Sequence, residues 1–182
     1  MSDSLPWLVR PSTPDDLAAI TQIYAWNVLN GTGTFEIDPP DQAEMTRRRD
    51  DVLGKGLPWL VLERGAGPLA GYAYANHFRP RPAYRFCLED SVYLAPHAVG
   101  QGLGRVLLAE LVARCEAAGA RQMLAVIGDS QNLGSIGVHR ALGFDHVGVM
   151  RSAGWKFDRW IDVVIMQKDL GTGDTTPPGP HP

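Results

Sequence analysis

The sequence predicts an α/β fold whose mixed sheet is antiparallel at first and then contains one parallel crossover. Strand-like and helix-like spacings of apolar residues follow one another in the order β-α-α-β-β-β-α-β-α-β-β, which gives about seven strands and about four helices. The strand-helix-strand stretch over residues 88–127 is typical of a parallel crossover. With 182 residues, of which 45% are hydrophobic, the chain suits one domain that buries roughly 70% of its unfolded surface.

The first half of the chain alternates apolar segments with proline- and glycine-rich breaks. Thr13 is predicted to cap the first helix, with Pro14 in its first turn. A loop is predicted over residues 27–38, and Asp38 with the two prolines after it opens a second helix that ends near Gly54. The predicted strands of this half cover residues 5–10, 58–63 and 69–78, the last two joined by a glycine-rich turn at 65–68.

The second half carries the crossover and a final pair of strands. After a loop at 79–82, the predicted strands cover residues 88–94, 122–127, 144–150 and 161–168. Helices are predicted from 103 to Gly119 and over 133–142. Residues 1–170 are thus expected to form a single domain. The Gly-, Thr- and Pro-rich tail over 171–182 is expected to be disordered, because it has little apolar surface to bury.

Composition argues against several classes of function. A net charge of −3 and scattered basic residues do not suit a nucleic-acid-binding protein, so no nucleic-acid partner is expected. No apolar run approaches the roughly 20 residues that span a bilayer, and the first residues do not resemble a signal peptide. Two cysteines without a CxxC pattern favour a reducing compartment. These observations predict a cytoplasmic protein without a membrane partner.

The loop from Val99 to Gly104 is the main candidate for an anion-binding site. A glycine-rich turn between a strand and a helix collects free backbone N–H groups at the positive end of the helix dipole. The loop lacks the Lys-Ser/Thr of a phosphate-binding Walker loop, and neither register gives GxGxxG. It fits the acyl-CoA pattern Q/R-x-x-G-x-G/A except at its first position, Val99. A structural helix entry stays open as an alternative when the loop is considered alone.

The surrounding residues resemble the GCN5-related N-acetyltransferase (GNAT) superfamily. This resemblance rests on Ser91-Val92-Tyr93-Leu94, the glycine loop, and the segment from Asn132 to Phe144. Four further segments are similar to the phosphinothricin and methionine sulfoximine/sulfone acetyltransferase branch. They are residues 88–93, residues 125–127, Gly154-Trp155-Lys156, and Trp160-Ile161-Asp162 with Met166-Gln167. The resemblance covers roughly residues 7–170 and implies a mostly antiparallel GNAT-like sheet.

The resemblance also implies the chemistry of the site. It implies acetyl-CoA as co-substrate, with Glu89 as the general base and His139 as the general acid. A structural role stays open for His139, because most lone histidines on helices are structural. The apolar neighbours of Glu89 could raise its pKa, and strand alternation is expected to turn Asp90, the competing acid, to the opposite face. The expected cofactor-binding residues are Val92, Tyr93, Leu94, Val99, Gly100, Gln101, Gly102, Leu103, Gly104, Arg105, Asn132 and Ser135. Asn132 also suits a plain helix cap, and Gln101 or Arg105 could replace the missing polar contact at Val99.

The acceptor site is expected to be built from the loop over residues 27–38, with Phe35 and Glu36 as candidates, and from the segment His77 to Phe86 before Glu89. An arginine fork matches an α-carboxylate, and Arg79 and Arg85 are preferred equally over Arg81. The expected substrate-binding residues are Phe35, His77, Arg79, Arg85, Phe86 and Glu89. The histidines make no ligand spacing with the cysteines, so no metal is expected. The resemblance further implies a homodimer, in which Trp155, Lys156 and Trp160 could close the pocket.

Three functions are compatible with these residues. The first is acetylation of the α-amino group of a small amino-acid-like acceptor of the phosphinothricin, methionine sulfoximine or methionine sulfone type. The second is the same chemistry on another amine, a polyamine or a protein N-terminus. The third is a non-catalytic acyl-CoA-binding sensor, to which the departure at Val99 gives slight support.

Overall fold

The computed structural model of the protein describes residues 6–178 and contains seven strands and four helices within that range. The strands are β1 (Leu8–Pro11), β2 (Trp59–Glu63), β3 (Gly71–His77), β4 (Cys87–Leu94), β5 (Gln122–Gly128), β6 (Asp145–Lys156) and β7 (Arg159–Asp169). The helices are α1 (Leu17–Asn30), α2 (Gln42–Gly54), α3 (Leu103–Ala117) and α4 (Leu133–Ala141).

The strands form one sheet in the order β1-β2-β3-β4-β5-β7-β6. Among these strands, β4 and β5 are the parallel pair, and the other neighbours are antiparallel. The connection through α3 is therefore the predicted crossover. The predicted fold class, a mixed and mostly antiparallel sheet with four flanking helices, is confirmed.

Three element boundaries predicted from the sequence were wrong. Helix α1 continues to Asn30 instead of ending before residue 27, because Asn27 and Asn30 donate to carbonyls one turn back and do not break the helix. Helix α2 starts later than Asp38, since Asp41 is the capping residue and accepts from the amide of Glu44 at 2.8 Å. Strand β6 extends beyond residue 150 to Lys156, through irregular pairing with β7.

The core lies between the sheet and two pairs of helices. Helices α1 and α2 contact each other. Helix α1 also contacts strands β3 and β4, and α2 contacts β2 and β3, whereas α3 contacts α4 and strands β1 to β4. Leu107, Leu108 and Leu111 of α3 are completely buried. Their spacing along one face of α3 explains why this helix packs on the sheet.

The gap between β4 and β5 is the feature of the sheet that creates a site. Pairing between the two strands covers only Cys87–Glu89 and Gln122–Leu124. Strand β4 nevertheless continues to Leu94, and β5 continues to Gly128. The strands therefore separate after Glu89 and leave a wedge, with backbone groups of both strands at its edges.

The last described residues form turns that contact the domain. Arg121 Nε donates to Gly173 O at 2.8 Å, and its Nη2 donates to Thr176 O at 2.7 Å. Residues 1–5 and 179–182 lie outside the described residues, and so do the start of the strand predicted from Leu5 and the end of the predicted tail. The division at residue 170 stays a prediction. Within residues 6–178, no helix is long and apolar enough to cross a membrane.

Candidate active site

A cavity of about 630 Å³ occupies the wedge between β4 and β5. Its walls are the end of β4, the glycine loop, the end of β5 and helix α4. The predicted site residues that line it are Glu89, Val92, Tyr93, Leu94, Val99, Gly100, Gly102, Leu103, Gly104, Asn132, Ser135 and His139. Twelve of the residues predicted from the sequence therefore line the same cavity.

The glycine loop has the backbone geometry that an anion site needs. Gly100 and Gly102 have φ angles of 80° and 76°, a left-handed conformation that a residue with a Cβ adopts at a cost. Gly102 is the capping residue of α3, and no side chain of the described residues caps this end by a hydrogen bond. The first amides of α3 therefore remain available for the phosphates of a ligand.

Two predicted cofactor residues do not line the cavity. The Gln101 side chain donates to His97 O at 2.7 Å, so it binds back to the turn before the loop. Arg105 is exposed on the outer side of α3. Val99 does line the cavity and is 59% exposed, so an apolar side chain stands where a polar contact was expected.

The side walls of the wedge combine core and capping roles. Tyr93 is buried and makes an edge contact with Tyr24, with ring centroids 4.9 Å apart. Asn132 accepts from the Ser135 amide at 3.2 Å and so caps α4 while it lines the cavity. Asn27, which sequence reasoning assigned to a loop, donates from α1 to Leu94 O at 3.1 Å. That bond ties α1 to the end of β4.

Glu89 lies within β4 and is the last residue of this strand that pairs with β5 before the two strands part. Burial raises the pKa of the Glu89 carboxyl above its usual value, and the negative charge of Asp90 adds to the rise. The positive charge of Arg79 opposes both effects. A carboxylate with a raised pKa in a cleft can act as a base near neutral pH.

Asp90 is a buried ion-pair partner that sequence reasoning set aside. Its Oδ1 lies 3.0 Å from His139 Nε2, and His139 Nδ1 lies 2.7 Å from Ser135 O. Both ring nitrogens face acceptors, and this arrangement favours the doubly protonated imidazolium form. Burial lowers the pKa of His139, but the hydrogen bond and charge of Asp90 outweigh it and raise that pKa overall. Asp90 also lines the cavity next to Glu89, because the wedge is open at the strand end.

Of the predicted acceptor residues, Glu89 lines the cavity, and the others do not, namely Phe35, His77, Arg79, Arg85 and Phe86. Arg79 lies over the Phe78 ring, with 4.9 Å between its Cζ atom and the ring centroid. Arg85 lies over the Phe86 ring at 4.5 Å and donates to Pro82 O at 3.1 Å. Of the two arginines, Arg79 is the one whose positive charge lowers the pKa of Glu89.

The remaining acceptor residues are also outside the lining. The backbone amide of His77 donates to Asn76 Oδ1 at 2.9 Å. The ring of Phe35 packs so closely on Gly154 that a Cβ there would lie 2.4 Å from its Cε2 atom. Phe35 therefore supports the wall near the sheet without lining the cavity.

Sequence reasoning missed part of the cavity lining. Asn27, Gly31, Thr32 and Gly33 lie within the 27–38 loop that was predicted to build the acceptor site, although they were not named individually. The missed residues lie on β4, β5, α4 and the turn between β5 and α4, and they are Asp90, Ser91, Ala125, Val126, Ile127, Gly128, Asp129, Gln131, Gly134 and Val138. The segment 125–127 had been noted as part of the family resemblance. No local sequence pattern indicated that this segment diverges from β4.

Asp162 of the Trp160-Ile161-Asp162 element has a clear structural role. Its Oδ1 accepts from the Ser152 amide at 2.9 Å and its Oδ2 from Ser130 Oγ at 3.0 Å. Asp162 thus joins the irregular part of β6 to the turn between β5 and α4. Within residues 6–178, no group of three His, Cys, Asp or Glu side chains could hold a metal ion.

Comparison with known proteins places the site in a family. The model of the acetyltransferase (GNAT) domain matches residues 9–165. The chain is 58% identical to phosphinothricin N-acetyltransferase from Alcaligenes faecalis over 170 residues, which are 93% of this chain and 86% of the relative. It is 38% identical to L-methionine sulfoximine/L-methionine sulfone acetyltransferase from Pseudomonas aeruginosa over 169 residues, which are 93% of this chain and 98% of the relative.

A solved structure agrees with the fold. The crystal structure of a GNAT superfamily phosphinothricin acetyltransferase from Sinorhizobium meliloti in complex with AcCoA has a TM-score of 0.93 and 48% identity. The match covers 96% of this chain and 94% of that one. The fold and the site thus define an acetyl-CoA-dependent N-acetyltransferase. The chain belongs to the GNAT acetyltransferase family.

Proposed function

We propose that the protein transfers acetyl from acetyl-CoA to the α-amino group of a small amino-acid-like acceptor of the phosphinothricin, methionine sulfoximine or methionine sulfone type. The observation that carries this proposal is Glu89, a half-buried carboxylate of raised pKa at the point where β4 and β5 separate. The names of the relatives at 58% and 38% identity support the class of acceptor.

In the proposed reaction Glu89 takes a proton from the acceptor ammonium group, directly or through a water. The neutral amine then attacks the thioester carbonyl, and a C–N bond forms. Collapse of the tetrahedral intermediate breaks the C–S bond, and the nitrogen gives up its second proton. The leaving thiolate takes one proton and becomes the free thiol of CoA. Each turnover therefore consumes one ammonium group and one thioester and yields one amide, one thiol and one proton.

His139 is the proposed source of the proton for the thiolate. The doubly protonated ring beside Asp90 supports this role, since an imidazolium is a competent acid. Both of its N–H groups are engaged with Asp90 and Ser135, so donation requires the ring to release one of these contacts. His139 is 4% exposed, which limits proton exchange with bulk water.

The proposed donor site follows the length of the wedge. The amides of Gly100, Gly102 and the first turn of α3 are assigned to the pyrophosphate, and the end of β4 is assigned to the pantetheine arm. A main-chain amide at Val92 or Tyr93 is the proposed donor to the thioester oxygen. Asn132, at the start of α4, is assigned to the cavity wall opposite the end of β4.

The proposed acceptor carboxylate is held by Arg79 or Arg85, with Arg79 favoured. Its charge acts on Glu89, whereas Arg85 already donates to Pro82 O. An arginine near the base can hold the α-carboxylate while the α-amine faces Glu89.

A release assay for free thiol from acetyl-CoA tests this function. The acceptor panel consists of phosphinothricin, methionine sulfoximine, methionine sulfone, ordinary amino acids, a polyamine and a short peptide. We expect the fastest thiol release with phosphinothricin, methionine sulfoximine and methionine sulfone. Preference for the polyamine or the peptide would favour the second function. Tight CoA binding without release for any acceptor would favour a sensor, for which the exposed Val99 on the glycine loop is the supporting observation.

We also propose a homodimer and a cytoplasmic location. Three large aromatic side chains at the β6–β7 hairpin support the dimer, because Trp155, Phe157 and Trp160 are 53%, 48% and 63% exposed. The free thiols Cys87 and Cys115 support a reducing compartment. Light scattering after gel filtration tests the dimer, and a monomer at micromolar concentration would contradict it.

A further inference from the structure

Lys156, the last residue of β6, holds a buried amine against main-chain carbonyl groups. It is 4% exposed, and its Nζ donates to Gly31 O and to Thr34 O, both at 2.8 Å. Lysine is almost never fully buried unless it is paired with an acid. Across residues 6–178 no ion pair joins Lys156 to a carboxylate within 4 Å. Because this buried ammonium group donates to two main-chain carbonyls, it fixes the position of both carbonyls.

The two carbonyls belong to residues 31–36, which we name the rim segment. Gly31, Thr32 and Gly33 of this segment line the cavity next to the end of β5. The segment follows α1 directly and contains no helix or strand of its own. Lacking a hydrogen-bond ladder, its main chain depends on contacts with other elements.

Two glycines let the rim segment lie directly on the sheet. A Cβ at Gly128 of β5 would lie 1.8 Å from Thr32 O, and one at Gly154 of β6 would lie 2.4 Å from the Phe35 ring. Both distances are far below van der Waals contact. The segment is therefore packed directly on the end of β5, next to Asp129, and on β6.

The other side of the rim segment is tied to the helices. Tyr24 OH of α1 lies 2.9 Å from Thr34 Oγ1 and donates to Glu36 Oε1 at 2.9 Å. Arg48 of α2 donates to the same Glu36 oxygen at 2.6 Å. Lys156 is thus the tie between this segment and the β6–β7 hairpin, while the helices hold it from the opposite side.

We propose that Lys156 is a positioning residue, whose ammonium group fixes the main chain of residues 31–34 as the wall against which the acceptor is bound. This proposal rests on the proposed function, since the rim segment lies within the 27–38 loop that is predicted to build the acceptor site. Removing the amine leaves two buried carbonyls without their donor and weakens the attachment of the segment to the hairpin. The donor end, formed by the glycine loop, does not depend on this tie.

The test compares Lys156→Met, which keeps length without a donor, with Lys156→Arg, which keeps charge and donors. Thiol release gives kcat and KM for phosphinothricin, and calorimetry gives Kd for acetyl-CoA. We expect Lys156→Met to raise the acceptor KM by about tenfold, as loss of a charged hydrogen bond does. The acetyl-CoA Kd stays within about twofold, and Lys156→Arg recovers part of the acceptor KM. Lys168→Met on β7, outside the described cavity lining, is the matched control and leaves both constants unchanged.

Two results would overturn the proposal. One is an unchanged acceptor KM in Lys156→Met, and the other is an equal loss of acceptor and acetyl-CoA binding. If Lys156→Met does not fold, Lys156→Gln, which keeps a neutral amide donor group, replaces it with the same criteria and a smaller expected shift.

Amide hydrogen exchange separates this proposal from the proposed function. Faster exchange at residues 31–36 in the variant, without a change in β4 or α3, supports the tie even if the wild-type protein acetylates none of the amino-acid acceptors. Unchanged exchange there contradicts the tie, whatever the acceptor proves to be.

Discussion

His139 Nε2 lies 3.0 Å from Asp90 Oδ1, and only 5% and 4% of the two side chains are exposed. Because Asp90 and Ser135 O both accept from this ring, the folded protein holds a proton on His139 more tightly than the unfolded chain does. The pair therefore couples the stability of the wedge to pH.

The stability of the fold should fall as pH rises through the raised pKa of His139. A histidine whose folded pKa exceeds its unfolded value of about 6.5 stabilises the fold fully below that value, and loses this contribution above the folded pKa. Asp90→Asn should cost about 3 to 5 kcal/mol at pH 6, since it breaks a buried pair. Unfolding by urea at pH 6 and pH 9 measures both effects. An Asp90→Asn variant with the wild-type pH dependence would contradict this assignment.

Asp90 should also set the pH range of catalysis through Glu89. The base must be ionised to act, so kcat/KM should fall as pH drops below the pKa of Glu89, which burial and Asp90 raise above the ordinary value of about 4.3. Removing the negative charge in Asp90→Asn should move this acidic limb to lower pH. The kcat/KM profile from pH 4 to pH 8 tests the shift. A limb that stays in place, or moves upward, would show that Asp90 does not act on the base.

Much of the donor end of the site could be predicted from sequence because it is local. The glycine loop, its two left-handed residues and the cap at Asn132 are set by neighbours within a few positions. The order of strands and helices followed from apolar spacing for the same reason. Boundaries failed where a polar side chain bonded within its own helix, as Asn27 does with Ile23 O at 2.8 Å.

The contacts that tune the site were beyond sequence reasoning because they join distant parts of the chain. His139 and Asp90 are 49 residues apart, and Lys156 and Gly31 are 125 apart. Strand alternation separated Asp90 from Glu89, but it could not indicate that β5 leaves β4 after Glu89 and opens the wedge to both.

A polar side chain at position 99 should improve binding of acetyl-CoA. Val99 is exposed at the edge of the glycine loop, so Val99→Arg adds a donor for a phosphate with little effect on the core. One charge-assisted hydrogen bond should lower the KM for acetyl-CoA by about threefold to tenfold. Leu53→Arg on α2 adds the same charge elsewhere and serves as control. Equal effects of the two substitutions would mean that general charge, and not the loop contact, is responsible.

Gly128 should tolerate no side chain, because the Thr32 carbonyl that a Cβ would meet is main chain and cannot rotate away. Gly128→Ala should destabilise the protein by about 1 to 3 kcal/mol and raise the acceptor KM, since the rim segment must move. Gly137→Ala in α4 is the matched control, because nothing lies within 4 Å of its Cβ position. Alanine there should raise stability by up to about 1 kcal/mol. Thermal unfolding and acceptor KM check both variants, and a neutral Gly128→Ala would contradict the packing of residues 31–36 on β5.

Glu89→Gln tests the central claim most directly, through single-turnover thiol release from acetyl-CoA with phosphinothricin. The wild-type protein should release one thiol for each acetylated α-amine. Glu89→Gln should slow this step by at least about a hundredfold with an unchanged Kd for acetyl-CoA, because it removes the base and leaves the donor site intact. A wild-type rate in Glu89→Gln, or no thiol release by the wild-type protein with this acceptor and its methionine analogues, would contradict the account.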